Sequence, residues 1–158
     1  MRKIVLIGNP NVGKSVFFSR LTGVHVISSN YAGTTVEFSK GYTLVGDEKV
    51  EIVDAPGTYT LSPTCKAEEV ACQIVDEGDL VINVVDATNL ERNLYLTLEL
   101  MERKVPVIVA LNMWDETKHK GIQIDTEALS KWLGVPVVPT VAVTGEGFAA
   151  LIAELARA

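Results

Sequence analysis

The sequence predicts an α/β domain: a mostly parallel six-stranded sheet with one antiparallel edge strand and helices on both faces. Three observations carry this. Short β-branched runs alternate with stretches of helical spacing. A Gly-rich loop, "GNPNVGKS", separates the first run from the first helical stretch. One pair of runs, "TTVEFSKGYTLV" and "KVEIVD", flanks "GDE", a short hairpin signal.

Taken in order, "KIVLIG" is a continuous apolar run that suits a strand buried on both faces. Ser15 to Thr22 follows as a helix. "SNYAGTTVE", Ser29 to Glu37, is polar and Gly-containing and reads as a loop before the hairpin. "KVEIVDAPG" returns to the sheet, and Ala67 to Glu77 forms the next helix. "DLVINVVDA" precedes a helix over Glu91 to Lys104, in which Leu94, Leu98 and Met101 form the expected core-facing stripe. "PVIVALN", a helix over Thr126 to Leu133, "VPVVPT" and a helix over Phe148 to Ala156 complete the pattern. No linker, repeat or low-complexity tract interrupts it.

Composition bounds the function. A chain of 158 residues suffices for one domain with a sizeable core. The net charge of −6 and pI near 4.9 argue against a general nucleic-acid surface. Apolar bursts of about six residues are too short to span a membrane. The first segment turns into the Gly-rich loop too early for a signal peptide. Cys65 and Cys72, placed on one helix, would lie roughly 10 Å apart and read as free thiols. His25 and His119 lack partners at metal-ligand spacing. Trp114 and Trp132 read as packing groups, and Glu68 and Glu69 as a solvated helix face in preference to a contact with the loop of "DAPGT".

The chemistry lies in the loops. Gly8 and Gly13 let successive N–H groups turn toward phosphate oxygens, and the following helix adds its N-terminal partial charge. Lys14 supplies a cation to the β- and γ-phosphates, and Ser15 a hydroxyl to magnesium. The whole stretch of Gly8, Asn9, Pro10, Asn11, Val12, Gly13, Lys14, Ser15 and Val16 is therefore the expected phosphate site. "NMWD" at the end of a strand supplies the base site. The Asp115 carboxylate accepts from the ring N–H and exocyclic amine that guanine presents side by side. Adenine would leave it unpaired. Asn112 ties this loop back to the phosphate loop. In "DAPGT", Asp54 can hold magnesium through water and Gly57 can offer its N–H to a γ-phosphate. Thr35 can reach both magnesium and that phosphate. Loops contacting only the γ-phosphate order with GTP and relax after hydrolysis.

The set "GNPNVGKS", "NYAGTTVE", "DAPGTYTLSP", "DLVINVVDATNLERNLYLTLEL" and "VALNMWDE" resembles the N-terminal G domain of the FeoB family of bacterial ferrous iron transporters. The resemblance covers nearly the whole chain, residues 1–158. It implies a Ras-like P-loop fold, slow hydrolysis of GTP to GDP and phosphate, and a position on the cytoplasmic face of the inner membrane. The helical and transmembrane domains that follow in the family, its expected partners, are absent from this chain, which reads as a soluble module. The resemblance also implies a potassium ion held by Asn11, with backbone carbonyls at Ser29 and Tyr31, beside the phosphates. Asn11, Lys14, Thr35 and Gly57 are then the expected catalytic set. Departures accompany it. Thr58 stands where many GTPases place a water-orienting Gln, Met113 replaces the Lys of "NKxD", and Val141 replaces a Ser. Met113 can lie over the guanine face, and the Ala142 N–H can meet the guanine oxygen, with Val141 and Val143 beside it. Two other readings stand against this one: a GTPase acting on RNA or ribosomes, and a nucleotide-dependent binding module with negligible hydrolysis.

Overall fold

The computed structural model describes residues 1–23 and 26–158; His25 lies outside them. The chain runs β1 (Lys3–Gly8), α1 (Lys14–Thr22), β2 (Val26–Asn30), β3 (Glu37–Val45), β4 (Glu48–Asp54), α2 (Lys66–Glu77), β5 (Leu80–Asp86) and a 3-10 turn (Ala87–Asn89). It continues through α3 (Leu90–Met101), β6 (Val107–Asn112), α4 (Trp114–His119), α5 (Thr126–Leu133), β7 (Val137–Pro139) and α6 (Phe148–Arg157). Among the described residues the strands form one seven-stranded sheet in the order β2-β3-β4-β1-β5-β6-β7.

The expected six strands are seven. Part of the segment read as a loop, including Ser29, is β2, which pairs antiparallel with β3 from Val26–Gly41 to Asn30–Glu37. All five of its residues are exposed. Backbone pairing rather than burial holds it, so it leaves no apolar alternation to read. The reversed strand is consequently β3, which lies inside the sheet, and β2 forms the edge. The hairpin turn is Gly46–Asp47, since Val45 pairs with Glu48, and Gly46 takes φ +63°.

The central strands alternate between two cores. Ile4, Leu6, Ile52 and Ile82 face Phe17 and Leu21 of α1 and Leu151 and Leu155 of α6. Val5, Ile7, Val81 and Val109 face Val70 and Ile74 of α2 and Leu96 and Leu100 of α3. Burial on both faces explains why these strands read as unbroken apolar runs. On α3 the buried stripe is Asn93, Leu96, Thr97 and Leu100; Leu94 and Met101 are only half-buried, and Leu98 is exposed. The helix is rotated from its expected phase because its buried polar residues have partners inside. Thr97 Oγ1 donates to Asn83 Oδ1, and Asn93 Nδ2 donates to the Asn89 carbonyl. Trp114 packs against the second core, whereas Trp132 is 68% exposed and packs little. No helix among the described residues is long and apolar enough to cross a membrane.

Candidate functional site

The loops after β1, β4, β6 and β7 leave the carboxyl edge of the sheet, the usual ligand edge of an open α/β domain. Gly8 ends β1 where a Cβ would stand 2.4 Å from the Val84 carbonyl oxygen, so no side chain fits. Asn11 and Gly13 take φ +66° and +79°, which turns the loop back onto α1. Gly13 precedes α1 without a side-chain cap, and the first turn of α1 carries no acidic residue. Its leading N–H groups and positive dipole end thus form an anion seat. Ser15 and Val16 are exposed on that turn. Asn9 is buried, and its Oδ1 has no hydrogen-bond partner in the protein.

Lys14 joins this loop to the one after β4. Its ammonium pairs with Asp54 Oδ1 and donates to the Ala55 carbonyl at 2.6 Å. Burial pushes the Asp54 carboxyl above the usual aspartate range, and the Lys14 charge pulls the other way. Gly57 passes close to Pro10: a Cβ there would lie 3.4 Å from that ring. The Thr58 N–H donates to the Gly8 carbonyl at 3.0 Å. The hydroxyl of Thr58 turns inward to the Thr60 carbonyl (2.7 Å) and Glu68 Oε2 (3.0 Å).

Glu68 therefore does touch this loop, against the solvated-face reading. It also accepts from the Thr64 hydroxyl (2.6 Å) and amide (3.1 Å), and these bonds lower its pKa. Glu69 remains exposed and pairs with Lys66. Two further acidic anchors carried no signal in the sequence, because each meets a loop far away in the chain. Glu99 of α3 accepts from Thr60 Oγ1 at 2.9 Å and from the Leu61 N–H at 2.6 Å. Glu77 of α2 accepts from the Tyr31 hydroxyl at 2.6 Å.

Asn112 connects three segments. Its Nδ2 donates to the Val12 carbonyl at 2.9 Å, while its Oδ1 accepts from Thr140 Oγ1 (3.3 Å) and the Ala142 N–H (3.1 Å). The Ala142 N–H expected at the guanine oxygen is thus engaged with Asn112. Met113 takes φ +60°, and its methyl lies 3.5 Å from where a Gly13 Cβ would stand. Asp115 is exposed in the first turn of α4, a short helix to which the sequence reading assigned no element. Val141 is buried with its N–H on the Glu146 carbonyl at 2.9 Å, and Val143 is 75% exposed.

Thr35 lies exposed in the turn between β2 and β3. In that turn the Tyr31 carbonyl accepts from both the N–H and the hydroxyl of Thr34, each at 2.9 Å. The structure thus joins Gly57, Thr58 and Asn112 directly to the Gly8–Gly13 loop, and Asp54 to it through Lys14. It makes no such join for Thr35, Ser29 or Tyr31. Among the described residues no three His, Cys, Asp or Glu side chains cluster as a metal site. The Ser15 and Thr35 hydroxyls with the Asp54 carboxylate are hard oxygen donors, which suits magnesium completed by phosphate and water.

A family model described as ferrous iron transport protein B matches residues 2–155. The chain is 51% identical over 156 residues to an Fe(2+) transport protein A/Fe(2+) transporter FeoB fusion protein of Porphyromonas gingivalis, covering 97% of this chain and 18% of that one. It is 50% identical over 159 residues to the Fe(2+) transporter FeoB of Salmonella typhimurium, covering 96% and 21%. It therefore spans about a fifth of the length of these relatives. A mutant S. thermophilus NFeoB bound to GDP superposes with a TM-score of 0.93 at 43% identity, covering 99% of this chain and 62% of that one. The cytosolic domain of L. pneumophila FeoB gives 0.92 at 44% identity, covering 97% and 68%.

Proposed function

This chain belongs to the ferrous iron transport protein B family, and we propose that it is the guanine-nucleotide switch of such a transporter, binding GTP and GDP and hydrolysing GTP slowly. The observation that carries the reading is the Asn112 side chain. It holds the phosphate loop at Val12 and the candidate base loop at Ala142 in one frame, so that both ends of a nucleotide are read together.

In this reading the N–H groups of Asn9 and of Asn11 to Val16 hold the phosphates. Lys14 exchanges the Asp54 carboxylate for β- and γ-phosphate oxygens, which a flexible ammonium stem permits. Asp54, relieved of that partner, faces the cation side with the hydroxyls of Ser15 and Thr35, and the Gly57 N–H meets the γ-phosphate. Magnesium there, and potassium beside Asn11 with the Ser29 and Tyr31 carbonyls, would supply positive charge to the phosphate oxygens. The Tyr31 carbonyl reaches such an ion only when Thr34 lets go of it. Thr58 is turned into the protein and orients no water, which accords with slow hydrolysis. Met113 and Val143 border the base, and Asp115 reads it. In the longer protein the module would sit on the cytoplasmic face of the membrane, acting on adjoining helical and membrane domains and on no nucleic acid.

The test is nucleotide titration of wild type and Asp115→Asn. The variant should lose at least tenfold in GDP affinity and gain for xanthosine diphosphate, as expected from breaking a charge-assisted pair of ~1.5–3 kcal/mol. Unchanged GDP affinity would remove Asp115 from the site.

A further inference from the structure

The candidate base loop closes on itself between Val141 and Glu146: the Val141 N–H donates to the Glu146 carbonyl at 2.9 Å, and the Gly145 N–H to the Val141 carbonyl at 2.8 Å. Ala142 and Val143 project from this closed turn. The Ala142 N–H is held by Asn112. Their carbonyl side is held by Arg20, near the end of α1. Arg20 Nε donates to the Ala142 carbonyl at 3.1 Å, and Nη2 to the Val143 carbonyl at 2.7 Å. The guanidinium lies against bare backbone at Gly145, where a Cβ would stand 3.5 Å from Nη1. Two parallel donors in a rigid plane match two successive carbonyls, a fit that an ammonium cannot reproduce.

We propose that Arg20 is a positioning residue for guanine retention: it fixes the Ala142–Val143 peptide from the helix whose other end holds the phosphates. Arg20 touches neither phosphate nor base. Residue Ala142 is pinned at its N–H from β6 and at its carbonyl from α1, which begins at Lys14. Losing the α1 side leaves the Ala142–Val143 peptide free to rotate while the phosphate seat stays whole. The consequence is faster nucleotide departure with little change in capture. This pinning also offsets the buried Val141, which offers no hydroxyl to brace the loop. The inference rests on the reading of this loop as the base site.

Stopped-flow release of a fluorescent GDP tests it on wild type, Arg20→Lys and Arg20→Ala. Arg20→Ala should release GDP about three- to tenfold faster, the range for charge-assisted bonds partly screened by solvent. Arg20→Lys should fall between, and single-turnover GTP cleavage with enzyme in excess should not slow in parallel. The same acceleration should shrink for 2-aminopurine riboside diphosphate, which lacks the oxygen at purine position six. Equal acceleration for both nucleotides, or release by Arg20→Ala at the wild-type rate, overturns the proposal. Asp115→Asn, measured alongside, separates the two readings. If it leaves GDP binding untouched, the base-site reading falls as well; if it shifts preference toward xanthine while Arg20→Ala does nothing, only the role of Arg20 falls.

Discussion

Asn11 and Met113 are the non-glycine residues with positive φ among those described, and both stand at the candidate site. Left-handed backbone is mild for Asn and uncommon for Met, so each marks a place where the surroundings over-determine the chain. At Met113 the turn lets Asn112 point back to Val12 while Asp115 emerges on α4. At Asn11 it raises an exposed amide beside the phosphate seat. If that amide holds potassium, GTP turnover should be faster in potassium than in sodium at equal ionic strength, since the smaller ion prefers a tighter cage. Asn11→Ala should abolish the difference and leave nucleotide affinity nearly intact, because the backbone seat and Lys14 remain. The rate loss should not exceed one transition-state contact, ~2.7–4 kcal/mol. Equal wild-type rates in the two salts would leave Asn11 as a brace of the loop.

The segment after β4 is divided by the helices around it. Thr60 and Leu61 are fixed to Glu99 of α3, Thr58 and Thr64 to Glu68 of α2, and the Ala55 N–H to the Leu6 carbonyl, so Pro56 and Gly57 are the stretch left to respond to a phosphate. These ties give the loop a pH dependence with a definite sign. The Thr64 hydroxyl and amide, then Thr58, hold the Glu68 carboxyl below its ordinary value of 4.5. A depressed carboxylate stabilises the fold above its unfolded value, and that contribution is lost as pH falls through the folded value. Carbon-detected NMR should find Glu68 titrating below 4.5 in wild type and moving back toward it in Thr64→Val. A Glu68 titration unmoved by Thr64→Val would show that these bonds do not hold the loop in solution.

Across the whole molecule, one sheet carries two cores, and the ligand edge depends on both. α1 positions the phosphate seat at one end and Arg20 at the other, while its middle is buried through Phe17. The Phe17 ring meets that of Phe148 on α6 at 4.7 Å between centroids, joining the first helix to the last. Phe17→Ala should cost about 3–5 kcal/mol, a large share of a typical domain's stability. The unfolding midpoint should fall by many degrees in calorimetry, and saturating GDP should restore part of it, because a ligand bound only to the folded state stabilises by mass action. A variant as stable as wild type would mean that α1 does not rely on this contact.

The sequence by itself determined the alternation of strands and helices, the strand–loop–helix context of "GNPNVGKS", and the placing of Asp54 and Asn112 at strand ends. These follow from local rules: unbroken apolar runs mark strands buried on both faces, and glycine marks backbone that no side chain permits, as Val84 enforces at Gly8. What it did not determine was β2, the phase of α3, and the anchors Arg20, Glu68, Glu77 and Glu99. β2 is exposed on both sides and held by backbone pairing, α3 is turned by buried polar partners, and Arg20, Glu77 and Glu99 each meet a loop placed by the fold, whereas Glu68 binds Thr64 only four residues before it. Only the tertiary structure decides such contacts, because a hydrogen bond between residues 39 or 122 apart leaves no periodicity in the chain.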